Sequence, residues 1–216
     1  MVFDLQEQHE IDVFKSHWRR YGKWVAGSLV CVAVAFMGYK GYRYYQEQQA
    51  QKAAVLYEKV MKYIPTAELE KIKPLVNTIE IDYPDTAYAS RAALLAAAVA
   101  FDKKGASEGH AEATYTHTQL QWVVSHTDEP VLRTLARLRL ANLRLDQKDY
   151  TGALSELAHE HDAAFEPLFL DLKGDIYVAR GDTAKARDAW KSALAKMQEE
   201  PSKRQLVEMK LDSLGA

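Results

Sequence analysis

"DLKGDIYVARGDTAKARDAW", residues 171–190, reads as two helical segments joined by the turn "ARGDTAKA", in which Gly181 stops the first. Gly174 is followed twelve positions later by Ala186, and four positions after that by Trp190. The same spacing occurs 33 residues earlier in "LRLANLRLDQKDYTGALSEL", residues 138–157, as Ala141, Ala153 and Leu157. A small residue at fixed register lets two helices cross closely. The large apolar residue that follows fills the space between successive pairs. A two-helix unit repeating at this period is a stacked, solenoid-type architecture.

The second copy fits the tetratricopeptide signature W-x2-L-G-x2-Y…A-x3-F at Leu170, Gly174, Tyr177, Ala186 and Trp190. Leu replaces the first Trp, Lys173 the Leu and Trp190 the Phe. Upstream, residues 88–124 form a looser copy, lengthened by "DKKGASEGH", with Ala111 and Tyr115 as its Ala-x3-aromatic pair. Downstream, Leu206, Val207, Met209, Leu211 and Leu214 mark an amphipathic capping helix over the last repeat. Nearer the N-terminus, Ala53, Leu56, Tyr57, Val60 and Ile64 keep a helical period until Pro65 ends it. Pro74 opens or kinks another helix through Leu75, Val76 and Ile79. Tyr83-Pro84-Asp85-Thr86 is a stop followed by a cap, and residues 87–101 are alanine-rich. Strand signals are absent. The expected fold is all-α: a single N-terminal transmembrane helix followed by a tetratricopeptide-like helical-repeat solenoid.

The transmembrane expectation rests on residues 24–39, sixteen positions without a charge. As a helix they span about 24 Å, and flanking Lys23 and Lys40 can snorkel to complete the crossing of a hydrocarbon core about 30 Å thick. Tyr21 and Trp24 on one side, and Tyr39, Tyr42, Tyr44 and Tyr45 on the other, suit the headgroup zone. A cleaved export signal fits less well. Ala33-Val34-Ala35 lies inside the apolar run, and the long preceding segment carries Asp4, Glu7, Glu10 and Asp12. Lys15, Arg19, Arg20 and Lys23 are denser than the basic residues that follow, which favours a cytoplasmic N-terminus. The expected organisation is a cytoplasmic tail over residues 1–20, a signal anchor over 21–45 and an exported repeat domain over 46–216. Gly27, Cys31, Ala35 and Gly38 form a stripe of small residues on the span, a candidate face for packing against another membrane helix. Small residues are also simply common in membrane helices.

Composition narrows the function. With 48% hydrophobic residues among 216 and a negative mean hydropathy, the chain is not a multi-span membrane protein. A net charge of −2 with no basic cluster gives no footprint for nucleic acid. Cys31 is the only cysteine, so no intrachain disulfide can form. No phosphate loop, dinucleotide fingerprint, HExxH motif or cysteine pair is present, and no catalytic, cofactor-binding or metal-binding residue is expected. His159-Glu160-His161-Asp162 is the one metal-like cluster, and it reads as a solvated loop because no further ligands are signposted. His110 and His117 read as surface residues. Arg133, Arg137 and Arg144 share a helix face, either solvated or set to meet an acidic partner.

Helix-pair solenoids bind proteins on a concave face lined by the first helix of each repeat. By that register Leu138, Asn142, Leu145, Asp171, Asp175 and Val178 are the candidate partner-binding residues. The order of acidic-then-basic tail, single span and degenerate repeats resembles the bacterial ancillary SecYEG translocon subunit family. The similarity is sharpest in residues 138–157, in residues 171–190 and in the terminal "EMKLDSL", and weakest over residues 46–83. The resemblance implies a single-pass inner-membrane protein with its repeat domain in the periplasm. It also implies Sec translocon subunits, a membrane-anchored periplasmic chaperone and exported polypeptides as partners, with no cofactor and no catalysis. A scaffold for an envelope stress or assembly regulator, which would act through the cytoplasmic tail, is the alternative. An enzyme would need a pocket of convergent buried carboxylates or histidines.

Overall fold

The computed structural model describes residues 3–104, 110–197 and 201–215. Among these residues there are nine α-helices, one short 3-10 helix and no strand. The first helix, α1 (Phe3–Tyr63), contributes to both of two compact units, Met1–Gln49 and Ala50–Ala216.

In the first unit, residues 23–46 are exposed along every face of α1, including Trp24 at 79% and Leu29 at 63%. Among the described residues this is the one helix long and apolar enough to cross a membrane. At its polar end Gln46 Nε2 donates to Tyr42 Oη (2.9 Å) and Gln48 Nε2 to Tyr44 Oη (3.4 Å), one turn away in each case.

The second unit is a stack of α2 (Leu69–Asp82), α3 (Ala87–Lys104), α4 (His110–His126), α5 (Pro130–Asp146), α6 (Tyr150–Glu156), α7 (Glu166–Arg180), α8 (Thr183–Lys196) and α9 (Pro201–Asp212). Each helix packs on the next, and the alternate helices α3, α5 and α7 also touch in turn. That is the contact pattern of a solenoid, in which each repeat leans only on its neighbours. Three apolar clusters run along it. The first joins Val60 of α1 to α2–α5, the second joins α5–α7, and the third lies among α7, α8 and α9.

Local chemistry sets the helix ends. Pro130 opens α5, where its missing N–H has no helical partner to lose. Asp149 caps α6 by accepting from the Gly152 N–H at 2.9 Å. Gly181 ends α7 with φ of 87°, a left-handed conformation that disfavours a side chain, and the Asp182 N–H closes back on the Tyr177 carbonyl at 2.8 Å. Asp182 then caps α8 through the Lys185 N–H.

Two expectations change. Of the two readings of Pro74, opening or kinking a helix, the first falls, because α2 begins at Leu69 and runs through it. Leu69 and Ile72 extend the buried stripe of Val76 and Ile79, and that burial outweighs the one bond Pro74 cannot donate. In the looser copy, Ala111 is exposed. The crossing falls instead at Ala97 and Thr116, where the Thr116 hydroxyl is 3.4 Å from the Ala97 carbonyl, and Leu120 is the buried apolar residue four positions on. The last repeat holds a close crossing built on glycine. A Cβ on Gly174 would lie 2.6 Å from Cε2 of Trp190, and the Trp190 Nε1 donates to the Asp171 carbonyl at 3.1 Å.

Candidate protein-binding face

Three successive helix pairs, α3–α4, α5–α6 and α7–α8, present α3, α5 and α7 side by side. The six residues assigned to this face from spacing divide into distinct environments. Leu138 and Leu145 are half-buried against the second apolar cluster. Asn142 is exposed, and its Nδ2 donates to the Leu138 carbonyl at 3.1 Å. Val178 is exposed near the end of α7.

Asp171 and Asp175 sit one turn apart on α7 and share one cation. Lys210 of α9 places Nζ 2.8 Å from each carboxylate. Burial raises the Asp175 pKa, with repulsion from Asp171 adding to it and Lys210 opposing it. Burial lowers the Lys210 pKa, but its hydrogen bonds to Asp171 and Asp175 outweigh this and hold it above the usual lysine value. Asp171 and Asp175 are thus covered by the chain's own cap. Lys210 had no signal in sequence beyond the apolar stripe of its helix.

Asn142 lines a pocket of about 390 Å³ with Ala97, Ala98, Phe101 and Asp102 of α3, Thr116 and Leu120 of α4, and Arg139 of α5. The sequence did not signal this pocket, because alanines in a helix read as close packing and say nothing of a space beside them.

The row Arg133, Arg137 and Arg144 is spent on acceptors of the chain itself. Arg137 Nη1 lies 3.2 Å and Arg144 Nη2 3.3 Å from the two oxygens of Glu156, which is 9% exposed. Arg144 also reaches Asp149 at 3.1 Å, and Arg133 donates to the Thr127 carbonyl. In the His159–Asp162 loop, His161 stacks on Phe169 at 3.8 Å between ring centroids and bonds to Glu166 at 2.7 Å. Among the described residues no three His, Cys, Asp or Glu side chains gather as a metal site. On the span, Gly27, Cys31, Ala35 and Gly38 are all exposed, and a Cβ on Gly27 or Gly38 would meet nothing within 4 Å.

The stacked pairs, their small-residue crossings and their cap define a tetratricopeptide-like helical-repeat protein. The family model of a tetratricopeptide repeat-like domain matches residues 15–216. The chain is 36% identical over 217 residues to the ancillary SecYEG translocon subunit of Neisseria gonorrhoeae, covering 99% of this chain and 100% of that one. Proteins of the same name from Haemophilus influenzae and Escherichia coli are 27% and 23% identical, over 99% and 96% of this chain and 100% and 96% of theirs. The chain therefore belongs to the ancillary SecYEG translocon subunit family.

Proposed function

We propose that this protein is a membrane-anchored, protein-binding scaffold that associates with the Sec translocon and helps periplasmic chaperones receive newly exported chains. The observation that carries this reading is the full-length match to relatives named for the SecYEG translocon, at 36% identity for the Neisseria gonorrhoeae protein. The exposed apolar band of α1, bracketed by Trp24 and the tyrosines 39–45, supports anchoring, because such a surface is stable in lipid and costly in water. In this reading residues 1–20 are cytoplasmic, 21–45 cross the inner membrane and 46–216 lie in the periplasm, as the distribution of basic residues favours. The small-residue stripe meets a helix of a membrane partner, and the repeat face holds protein.

Photocrosslinking in intact membranes tests this, with probes at Ala35 in the span and at Asn142 and Val178, both exposed on the repeat face. Adducts with channel subunits at Ala35, and with a chaperone or secretory chains at the other two, are expected. Adducts dominated by regulators or cell-wall enzymes would overturn the translocon assignment. Replacing Gly27 and Ala35 with Leu should reduce co-purification of the channel while leaving insertion intact, and undiminished recovery would remove the stripe from the interface.

A further inference from the structure

The pocket between α3 and α5 is open because α3 offers only methyl groups at Ala97 and Ala98 where it faces Arg139 and Asn142 of α5. Phe101 and Leu120 add apolar wall. A volume of about 390 Å³ is at the small end of the range for ligand sites, which runs from about 300 to 1,000 Å³.

The polar groups around it are of three kinds. Arg139 is half-buried, and one of its five N–H donors is used on the Leu94 carbonyl at 2.9 Å. Asn142 uses one of its two amide N–H groups on Leu138, which leaves the amide oxygen as an acceptor and a second N–H as a donor, the pair a main-chain amide matches. Asp102 is an exposed carboxylate, an acceptor only. The Thr116 hydroxyl is engaged with the Glu112 carbonyl at 2.8 Å. The pocket therefore pairs a cationic donor with an anionic and a neutral acceptor. An acidic ligand would meet Asp102 and a basic one Arg139. The alternating C=O and N–H of an extended main chain meets both with opposite polarity.

We infer that this pocket is a subsite for an uncharged, extended stretch of polypeptide. Apolar side chains rest on the alanine floor while Arg139, Asn142 and Asp102 hydrogen-bond the main chain. Burial also holds the Arg139 guanidinium below its usual pKa, with the charge of Asp102 opposing that shift. The inference rests on the reading of this domain as a protein-binding scaffold, and it names what the face binds. Because the recognised charges cancel, binding responds little to salt.

The test uses the full chain in lipid nanodiscs and short fluorescein-labelled peptides of three kinds: neutral with leucine and phenylalanine, the same with added aspartates, and the same with added lysines. Fluorescence anisotropy is read for wild type, Ala98→Leu, Arg139→Gln and Asn142→Ala, with melting curves to establish that each variant is folded. The neutral peptide is expected to bind best, with little change between low and high salt. Ala98→Leu, which fills the pocket, should weaken it by about tenfold, and each polar variant by about threefold or more. No binding by wild type, preference for a charged peptide, or binding unchanged by Ala98→Leu and Arg139→Gln would overturn the inference. Self-association abolished by Ala98→Leu, without peptide binding, would assign the pocket to a second copy of the chain and equally overturn it. Channel co-purification is measured on the same variants. Its retention with peptide binding absent removes the subsite alone, whereas its absence from wild type removes the translocon assignment whatever the peptides do.

Discussion

Gly174 and Trp190 occupy one another's space: the indole fills the position that a Cβ on Gly174 would take, 2.6 Å from Cε2. The ring cannot withdraw freely, since its Nε1 is bonded to the Asp171 carbonyl and the residue is 3% exposed. Gly174→Leu should therefore overpack the α7–α8 crossing and cost about 1–3 kcal/mol, read as a lowered Tm. A melting curve identical to wild type would show that the repeat register is wrong.

Lys210 ties the cap to the last repeat. Lys210→Met keeps an unbranched apolar stem but removes the Nζ that lies 6.0 Å from the Trp190 ring centroid and leaves Asp171 and Asp175 facing each other without a cation. The expected loss at neutral pH is about 1–2 kcal/mol, since all three side chains are partly solvated. The deficit should shrink in acid, where protonating the carboxylates removes their repulsion. An equal loss at neutral and acid pH would mean that packing, not charge, holds α9.

Glu80, on α2, should make the domain more stable in mild acid. Burial raises its pKa from 4.5 to about 7, against smaller opposing effects of Gln119 and His126. The folded state holds this proton more tightly than the unfolded chain, so unfolding releases it between pH 4.5 and 7. Stability from this group is full below that window, falls as pH rises through it and is flat above. Glu80→Gln should flatten the profile of Tm against pH and raise Tm above neutrality. Parallel profiles for the two proteins would count against a buried, proton-holding Glu80.

Glu156 is the common acceptor of Arg137 and Arg144, with 11% of its side chain exposed. Glu156→Ala should cost about 2–4 kcal/mol, most of it from leaving the part-buried Arg137 guanidinium without a carboxylate, while Arg144 keeps Asp149. Combining it with Arg137→Ala should cost less than the two single losses added together. Strict additivity would show that the pair is not coupled.

The last two repeats were legible because their signals are local. Gly174, Gly181, Ala186 and Trp190 fall within one turn-linked helix pair, and each does its work at its own crossing. The earlier repeat was harder to place. Thr116 stands where alanine was sought, and the longer connection shifts the spacing between Ala97 and its partner helix. The face itself was only half visible. The positions of Asp171 and Asp175 followed from helical period, but Lys210 lies 35 and 39 residues further along. Arg133, Arg137 and Arg144 aligned in sequence as an outward row, and only the fold shows that Glu156 and Thr127 claim them.

The cap has one more consequence. α9 holds on through Val207 and Leu211, with Leu214 just beyond it, in the third apolar cluster, and its outer side leaves Leu206 52% and Met209 62% exposed. A stacked array frays from its ends, where a helix has a neighbour on one side only. By that rule α9, an end helix packed on α8, opens more readily than the helices inside the stack. Its opening would unmask two carboxylates and an indole edge together, so these polar groups meet solvent at the terminal repeat before any inner helix separates.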